Sequence, residues 1–180
     1  MIYTYNELKE KGYYAYNIKK MVNEEKLFKI EKGLYSDTKN YDQMEYITKK
    51  YPKTILTDHS AFYLWDLTDE IPDAFDFACG HNVLKIKEKN INQKFMSNTF
   101  LLVGKSQLKH NNVLVNIYDK ERMLIELVRN RKKYSYSMYK EIINNYRDIK
   151  NEIDISKVYE YSKSFKNKDK IMDTILKEVF

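Results

Sequence analysis

Asn17, Lys20 and Asn23 stand three residues apart in the stretch Tyr14 to Tyr35, YAYNIKKMVNEEKLFKIEKGLY. On a helix that spacing puts all three on one side, beside Tyr16 and Lys19. Asparagine and lysine are side chains that hydrogen-bond base edges in the major groove of DNA. Lys29 and Lys32 follow closely, and Arg131, Lys132 and Lys133 form a second basic run. Such cations suit phosphate contacts, which position a protein on a duplex without reading its sequence. Other chemistries are thinly represented. His59, His81 and His110 have no HExxH or His/Cys metal spacing and read as surface or structural residues. Cys79 lies in an apolar stretch and reads as core. No Gly-x-Ser-x-Gly elbow and no phosphate-binding glycine loop occur. Pro72-Asp73 followed by Lys85-Ile86-Lys87 partly matches a metal-dependent nuclease. However, Lys85 occupies the place where an acid is needed two residues before the catalytic lysine. The expectation is a protein that is not an enzyme and uses no cofactor or metal.

The elements needed to present those residues are legible nearby. Ile18, Met21 and Val22 fall at i, i+3 and i+4, so they form an apolar face opposite the asparagines. Phe28 and Ile30 alternate with Lys29 and Glu31, the period of a half-buried strand. Lys32-Gly33 makes the turn, and Leu34 and Tyr35 begin the return strand. Upstream, Thr4 and Glu7 have the spacing of a capping box, with Leu8 as an apolar contact and Gly12 where that helix ends. Helix, turn, helix and hairpin within about 35 residues is the spacing of a winged helix-turn-helix.

The whole chain has 180 residues and a formal net charge of +6. That length suits one domain, or a small module plus a larger one. Two prolines and 43% hydrophobic residues argue against disorder. No apolar run approaches eighteen residues and Met1 opens no signal-peptide pattern, so no membrane association is expected. A single cysteine cannot form an internal disulfide, which fits a cytoplasmic location. The charge is uneven. Residues 54–80 carry Asp58, Asp66, Asp69, Glu70, Asp73 and Asp76 and no lysine or arginine, within an otherwise basic chain. That pattern fits a nucleic-acid footprint with one face turned away, and equally fits ordinary solvated surfaces.

Tyr41, Met44, Ile47, Thr48 and Tyr51 have helical spacing, and Pro52 stops that helix. It reads as the join between a domain at 1–52 and a second at 53–180. Beyond it, Thr54-Ile55-Leu56 is a short apolar run. Asp58 or Ser60 can cap a helix reaching Asp66, with Leu64 and Trp65 on its buried side. Segments 74–78, 83–86, 95, 100–103 and 112–117 read as strands or fragments of a mixed sheet. Asp119 can cap a helix in which Met123, Leu124, Leu127 and Val128 share a face and Arg122 pairs with Glu126. Helical patterns follow at 136–147, 154–164 and 168–179, with Asp154 and Asn167 as caps. The expected fold is α+β: an N-terminal winged helix-turn-helix, then a larger mixed α/β domain with a helical C-terminus.

Three stretches together resemble the AbiEi-type antitoxins of type IV, abortive-infection toxin–antitoxin operons. Gly12, Lys19-Lys20, Leu27 and Gly33-Leu34-Tyr35 stand where that family has a glycine, a basic pair, a leucine and a wing ending Gly-x-Tyr. Tyr14 replaces a usual Ser/Thr cap, and Glu25 replaces a usual glycine after the helix, which is expected to lengthen the helix by a turn. Ser60 to Thr68 resembles the signature SALyLhgLt, with Pro72 following as in the family. Glu121 to Arg129 resembles eRTLvDllR, with Met123 for Thr and Glu126 for Asp. The resemblance implies an antitoxin that counters a nucleotidyltransferase toxin, with or without a stable complex, in phage defence. It also implies repression of its own operon through double-stranded DNA at promoter inverted repeats. Asn17, Lys20 and Asn23 would then contact bases. Lys29, Lys32, Arg131, Lys132 and Lys133 would contact phosphates. A winged-helix transcriptional regulator without a toxin, or a basic protein-binding module, would use the same surface.

Overall fold

Thr4 ends a strand and starts a helix. It closes β1 (Ile2–Thr4) and caps α1 (Tyr5–Glu10). Its Oγ1 accepts the Glu7 N–H at 3.2 Å while the Glu7 carboxylate accepts the Thr4 N–H at 2.7 Å, a complete capping box. Gly12, at φ +86°, turns the chain out of α1. Then come α2 (Ala15–Asn23), β2 (Phe28–Glu31), β3 (Leu34–Ser36) and α3 (Gln43–Lys50). The three strands form an antiparallel sheet in the order β1-β3-β2, with a bulge between Lys29 and Glu31. The computed structural model describes residues 1–111 and 113–180, and the chain divides into two units, Met1–Pro52 and Lys53–Phe180.

In the first unit Leu8, Ile18 and Leu27 form the centre of a small core, with Tyr3, Met21, Val22 and Tyr35 packed against it. Burying each aliphatic side chain contributes roughly 1.5–3 kcal/mol, so this core is modest. α3 is not merely a join. Met44 and Ile47 are buried, and the buried Glu45 carboxylate accepts the Ile2 N–H at 2.6 Å. Lys49 pairs with Glu7 and Lys50 with Glu31, so the helix is tied to α1 and the hairpin. The expected extra turn on α2 does not form. The helix ends at Asn23, and Glu25 takes φ +54°, the left-handed conformation that glycine adopts without strain.

The second unit holds a five-stranded mixed sheet. Its strands are β4 (Ile55–Leu56), β5 (Phe75–Gly80), β6 (Ile91–Met96), β7 (Lys105–His110) and β8 (Val113–Tyr118), in the order β6-β5-β4-β8-β7. Helix α4 (Asp58–Leu64) follows β4, and the short α5 (Asn98–Leu101) follows β6. Helices α6 (Lys120–Arg129), α7 (Tyr136–Asp148), α8 (Ile155–Ser162) and α9 (Lys168–Glu178) complete it. Asp119 caps α6 through the Arg122 N–H at 2.9 Å, and Asp154 caps α8. Asn167 precedes α9 in a left-handed conformation without a side-chain cap.

Several local expectations give way. Helix α4 stops at Leu64, and it buries Ala61 and Phe62 while Leu64 and Trp65 are only half-buried. Asp66 at φ +55° turns the chain after it, and the Trp65 indole N–H reaches the Tyr118 carbonyl at 2.8 Å. Residues 83–86 lie outside any strand. Residues 98–101 are a helical turn, because Ser97 C=O accepts the Phe100 and Leu101 N–H groups. Asn112, where the last strand was expected to begin, lies outside the described residues. No helix among the described residues is long and apolar enough to cross a membrane.

Candidate nucleic-acid interface

Helix α2 has two faces. Ile18 is 2% exposed, whereas Tyr16 is 80% exposed and Asn17, Lys19, Lys20 and Asn23 are all exposed. Packing on Leu8 and Leu27 fixes which way the helix turns, so the polar row faces solvent. Among the described residues the row has few internal partners. Lys20 approaches Glu24 at 3.8 Å with both side chains well exposed, a pair of little strength. Asn17 Oδ1 accepts the Tyr14 N–H at 3.4 Å, a long bond that stands in for the missing Ser/Thr cap. Lys29 on β2 and Lys32 at the turn are exposed too, and Gly33 at φ +84° permits that turn. The structure therefore gathers seven of the expected residues onto one helix face and one hairpin of the first unit.

The remaining three, in the second unit, divide between two pockets. They form a 3-10 turn in which Arg131 and Lys132 line one groove and Lys133 borders another. Arg131 pairs with Glu178 at 3.1 Å and lies 4.6 Å over the Tyr139 ring. Arg131 and Lys132 line their groove with Arg129, Lys166 and Lys170. Lys133 borders an acidic pocket with Asp58, Asp76 and Tyr134. Lys166 and Lys170 were missed because they come from a separate stretch, although the spacing of lysines from 163 to 170 was a visible signal.

The acidic pocket gathers much of the acid-rich segment 54–80. Asp58 accepts the Tyr134 hydroxyl at 3.1 Å, and Asp76 accepts from Asn92 at 3.0 Å. Burial pushes the Asp76 carboxyl up, Asn92 opposes that, and nearby Asp58 adds to it. His59 Nε2 is buried without a hydrogen-bond partner. The motif residues Lys85 and Lys87 are exposed and outside the sheet. The lysine that does approach these acids, Lys94, sits 3.7 Å from Asp58 and 3.4 Å from Glu126. Among the described residues no group of three or more His, Cys, Asp or Glu could hold a metal ion. Cys79 is fully buried in β5, where burial raises its thiol pKa and the Gln93 amide approaches at 3.1 Å.

The motif around Arg122 is internal. Arg122 and Glu126 are both 0% exposed and bond through Nε at 3.1 Å and Nη2 at 2.9 Å. Arg122 Nη1 also donates to the Phe100 and Val103 carbonyls, each at 2.9 Å. Burial alone would raise the Glu126 pKa, but Lys94, Arg122 and Arg129 hold it below the usual glutamate value. Gly104, at φ +73°, lies so close that an added Cβ would sit 2.4 Å from Arg122 Cβ. This network ties α6 to the segment from Phe100 to Gly104.

No protein-family model matches the chain, and no curated protein matches it.

Proposed function

We propose that the chain is a DNA-binding antitoxin that represses its own operon, with residues 1–52 forming a winged helix-turn-helix. The observation that carries this reading is the exposed row on α2, whose asparagines and lysines have few internal partners, followed by a hairpin with free lysines. Asn17, Lys20 and Asn23 would read base edges from the major groove. Lys29 and Lys32 would lie along phosphates. Two backbone features support the resemblance to AbiEi-type antitoxins. Glu25 and Asp66 both take left-handed conformations, and both stand where that family's pattern has glycine. On this reading residues 53–180 counter a nucleotidyltransferase toxin.

The test combines a promoter gel shift at fixed salt with toxin co-expression. Lys20→Ala and Asn23→Ala, both off the buried face, should each weaken operator binding by about 1–3 kcal/mol and relax specificity at one position. Lys32→Ala should weaken all sequences alike and flatten the log K against log[salt] slope by about one unit. Unchanged affinity in both α2 variants would place the reading face elsewhere. A neighbouring gene that is harmless when expressed alone would leave a regulator without a toxin.

A further inference from the structure

The groove that takes Lys132 carries charge of one sign. It has a volume of about 670 Å³ and is lined by Arg129, Arg131, Lys132, Lys166 and Lys170, with no acid in its wall. Two of these cations are held by carboxylates: Arg129 by Glu126 at 2.9 Å, and Arg131 by Glu178 at 3.1 Å. Lys132, Lys166 and Lys170 have no acid partner among the described residues. The acids of α9 that lie close in sequence, Asp169 and Asp173, do not line the groove, and Asp173 is paired with Lys177 at 2.7 Å. Three unpaired lysines facing one cavity concentrate positive potential, which favours a phosphate-bearing occupant. The wall also holds an aromatic platform. Phe100 stacks on Phe165 with centroids 5.6 Å apart and planes at 28°, and Phe100 remains 37% exposed. Arg129 lies 4.1 Å and Arg122 4.6 Å over the Phe165 ring, cation–π contacts that hold the ring in place.

We infer that this groove binds a single-stranded nucleic-acid segment, with phosphates on the three lysines and a base against Phe100. A basic groove with an exposed aromatic ring is how strands are held without sequence preference. A base inside a duplex has both faces stacked already and cannot use the ring, whereas an unpaired base can. The volume falls within the range of small-ligand sites, enough for a short piece of strand. The site goes beyond operator binding, because it uses neither α2 nor the hairpin.

The experiment uses the full chain with three fluorescein-labelled probes: a dT 12-mer, an rU 12-mer and a 12-base-pair duplex. Both single strands should bind, with log K falling against log[salt] at a slope of about −2 for three phosphates neutralised. Lys166→Ala with Lys170→Ala should flatten that slope to about −0.7 and leave duplex binding unchanged. Phe100→Leu keeps an apolar contact with Phe165 but loses the aromatic face, and should cost the single strands about tenfold. Phe100→Tyr should restore them. Groove variants that bind single strands like the wild type overturn the inference, as does equal weakening of duplex and single strand. A wild-type chain that binds both single strands but not a promoter duplex would instead count against the operator reading alone.

Discussion

Helices α2 and α6 carry similar sequence signals and meet opposite fates. Each is amphipathic, and each has basic and polar residues beside an apolar face. In α2 the polar side faces solvent and the small first-unit core takes only one face. In α6 every residue from Glu121 to Leu127 is buried, charges included. The charges of α6 are satisfied within the protein: Glu126 accepts from Arg122 and Arg129 at 2.9 Å and from Asn130 at 2.7 Å, and Lys120 pairs with Glu152 at 3.0 Å. The charges of α2 have almost no such partners. Free charge marks a surface that can bind, and satisfied charge marks a core that must hold. The composition of the two helices does not distinguish these cases; the number of layers packed around each does.

The largest test of this contrast is to cut the chain at Pro52. The second unit, Lys53–Phe180, has its own sheet and a helix buried from Glu121 to Leu127, so it should fold alone and melt cooperatively. The fragment 1–52 rests on a small core and is marginal at that size, so it should be largely unfolded at 37 °C. If the proposed operator repression holds, the 53–180 fragment should also lose it, since α2 and the hairpin are gone. Circular-dichroism melts and a promoter–reporter assay check these outcomes. A first unit that melts above the second would reverse the comparison.

Next comes the α6 network. Glu126→Gln removes the carboxylate that faces Arg122, which is itself 0% exposed. Breaking one side of a buried pair costs about 3–5 kcal/mol. The loss should appear in denaturant melts of the 53–180 fragment. A cost near zero would mean that the Phe100 and Val103 carbonyls suffice to hold Arg122.

How much of this was legible differs between the units for a physical reason. The capping box of Thr4 and Glu7, the two faces of α2, the Lys32-Gly33 turn and the Arg122–Glu126 pair are all local patterns, so spacing revealed them. Strand β7, KSQLKH, was not visible, and of β6 only Phe95 was marked. Both are edges of the five-stranded sheet. Edge strands bury little, so their alternation of apolar residues is faint. Strand β1 has three residues, too few to show a period. The basic groove was hidden for another reason: its walls come from α5, the end of α6, the turn after it and the start of α9. The network around Arg122 and Gly104 likewise joins residues whose distance in sequence concealed their contact.

Acid should separate the units less sharply. In the first unit burial raises the Glu7 pKa, but Lys49 and Thr4 outweigh it, so the net shift is downward. A lowered carboxylate supplies stability above its unfolded pKa, and that stability is lost as pH falls through the folded value. In the second unit Glu126 is lowered in the same way, whereas burial raises Asp76 and Asp119. Raised carboxylates work the other way: protonation relieves them as pH falls through their folded values. The melting temperature of the 53–180 fragment should therefore hold or rise slightly from pH 7 towards pH 4. It should fall only at lower pH, once Glu126 takes a proton. A steady fall beginning near neutrality would show that the burial of Asp76 and Asp119 is not the controlling influence.

The smallest expected effects lie in the turns. Glu25 and Asp66 each follow a helix in a left-handed conformation, at φ +54° and +55°. That region costs an ordinary residue about 1–2 kcal/mol, whereas glycine enters it freely but loses more chain entropy on folding. Glu25 has only an exposed pair with Lys39 at 3.7 Å to lose, and Asp66 is exposed. Glu25→Gly and Asp66→Gly should each stabilise the chain by a few tenths to about 1 kcal/mol. Asp58 supplies the contrast. It too has positive φ, +46°, but its carboxylate accepts the Tyr134 hydroxyl at 3.1 Å and faces Lys94 at 3.7 Å. Asp58→Gly should therefore destabilise, because the side chain holds contacts that outweigh the relieved backbone. Thermal melts of the three variants settle the matter. If Asp58→Gly stabilises as the other two do, its contacts with Tyr134 and Lys94 contribute nothing to the fold. If all three destabilise, left-handed backbone is not a source of strain at these turns.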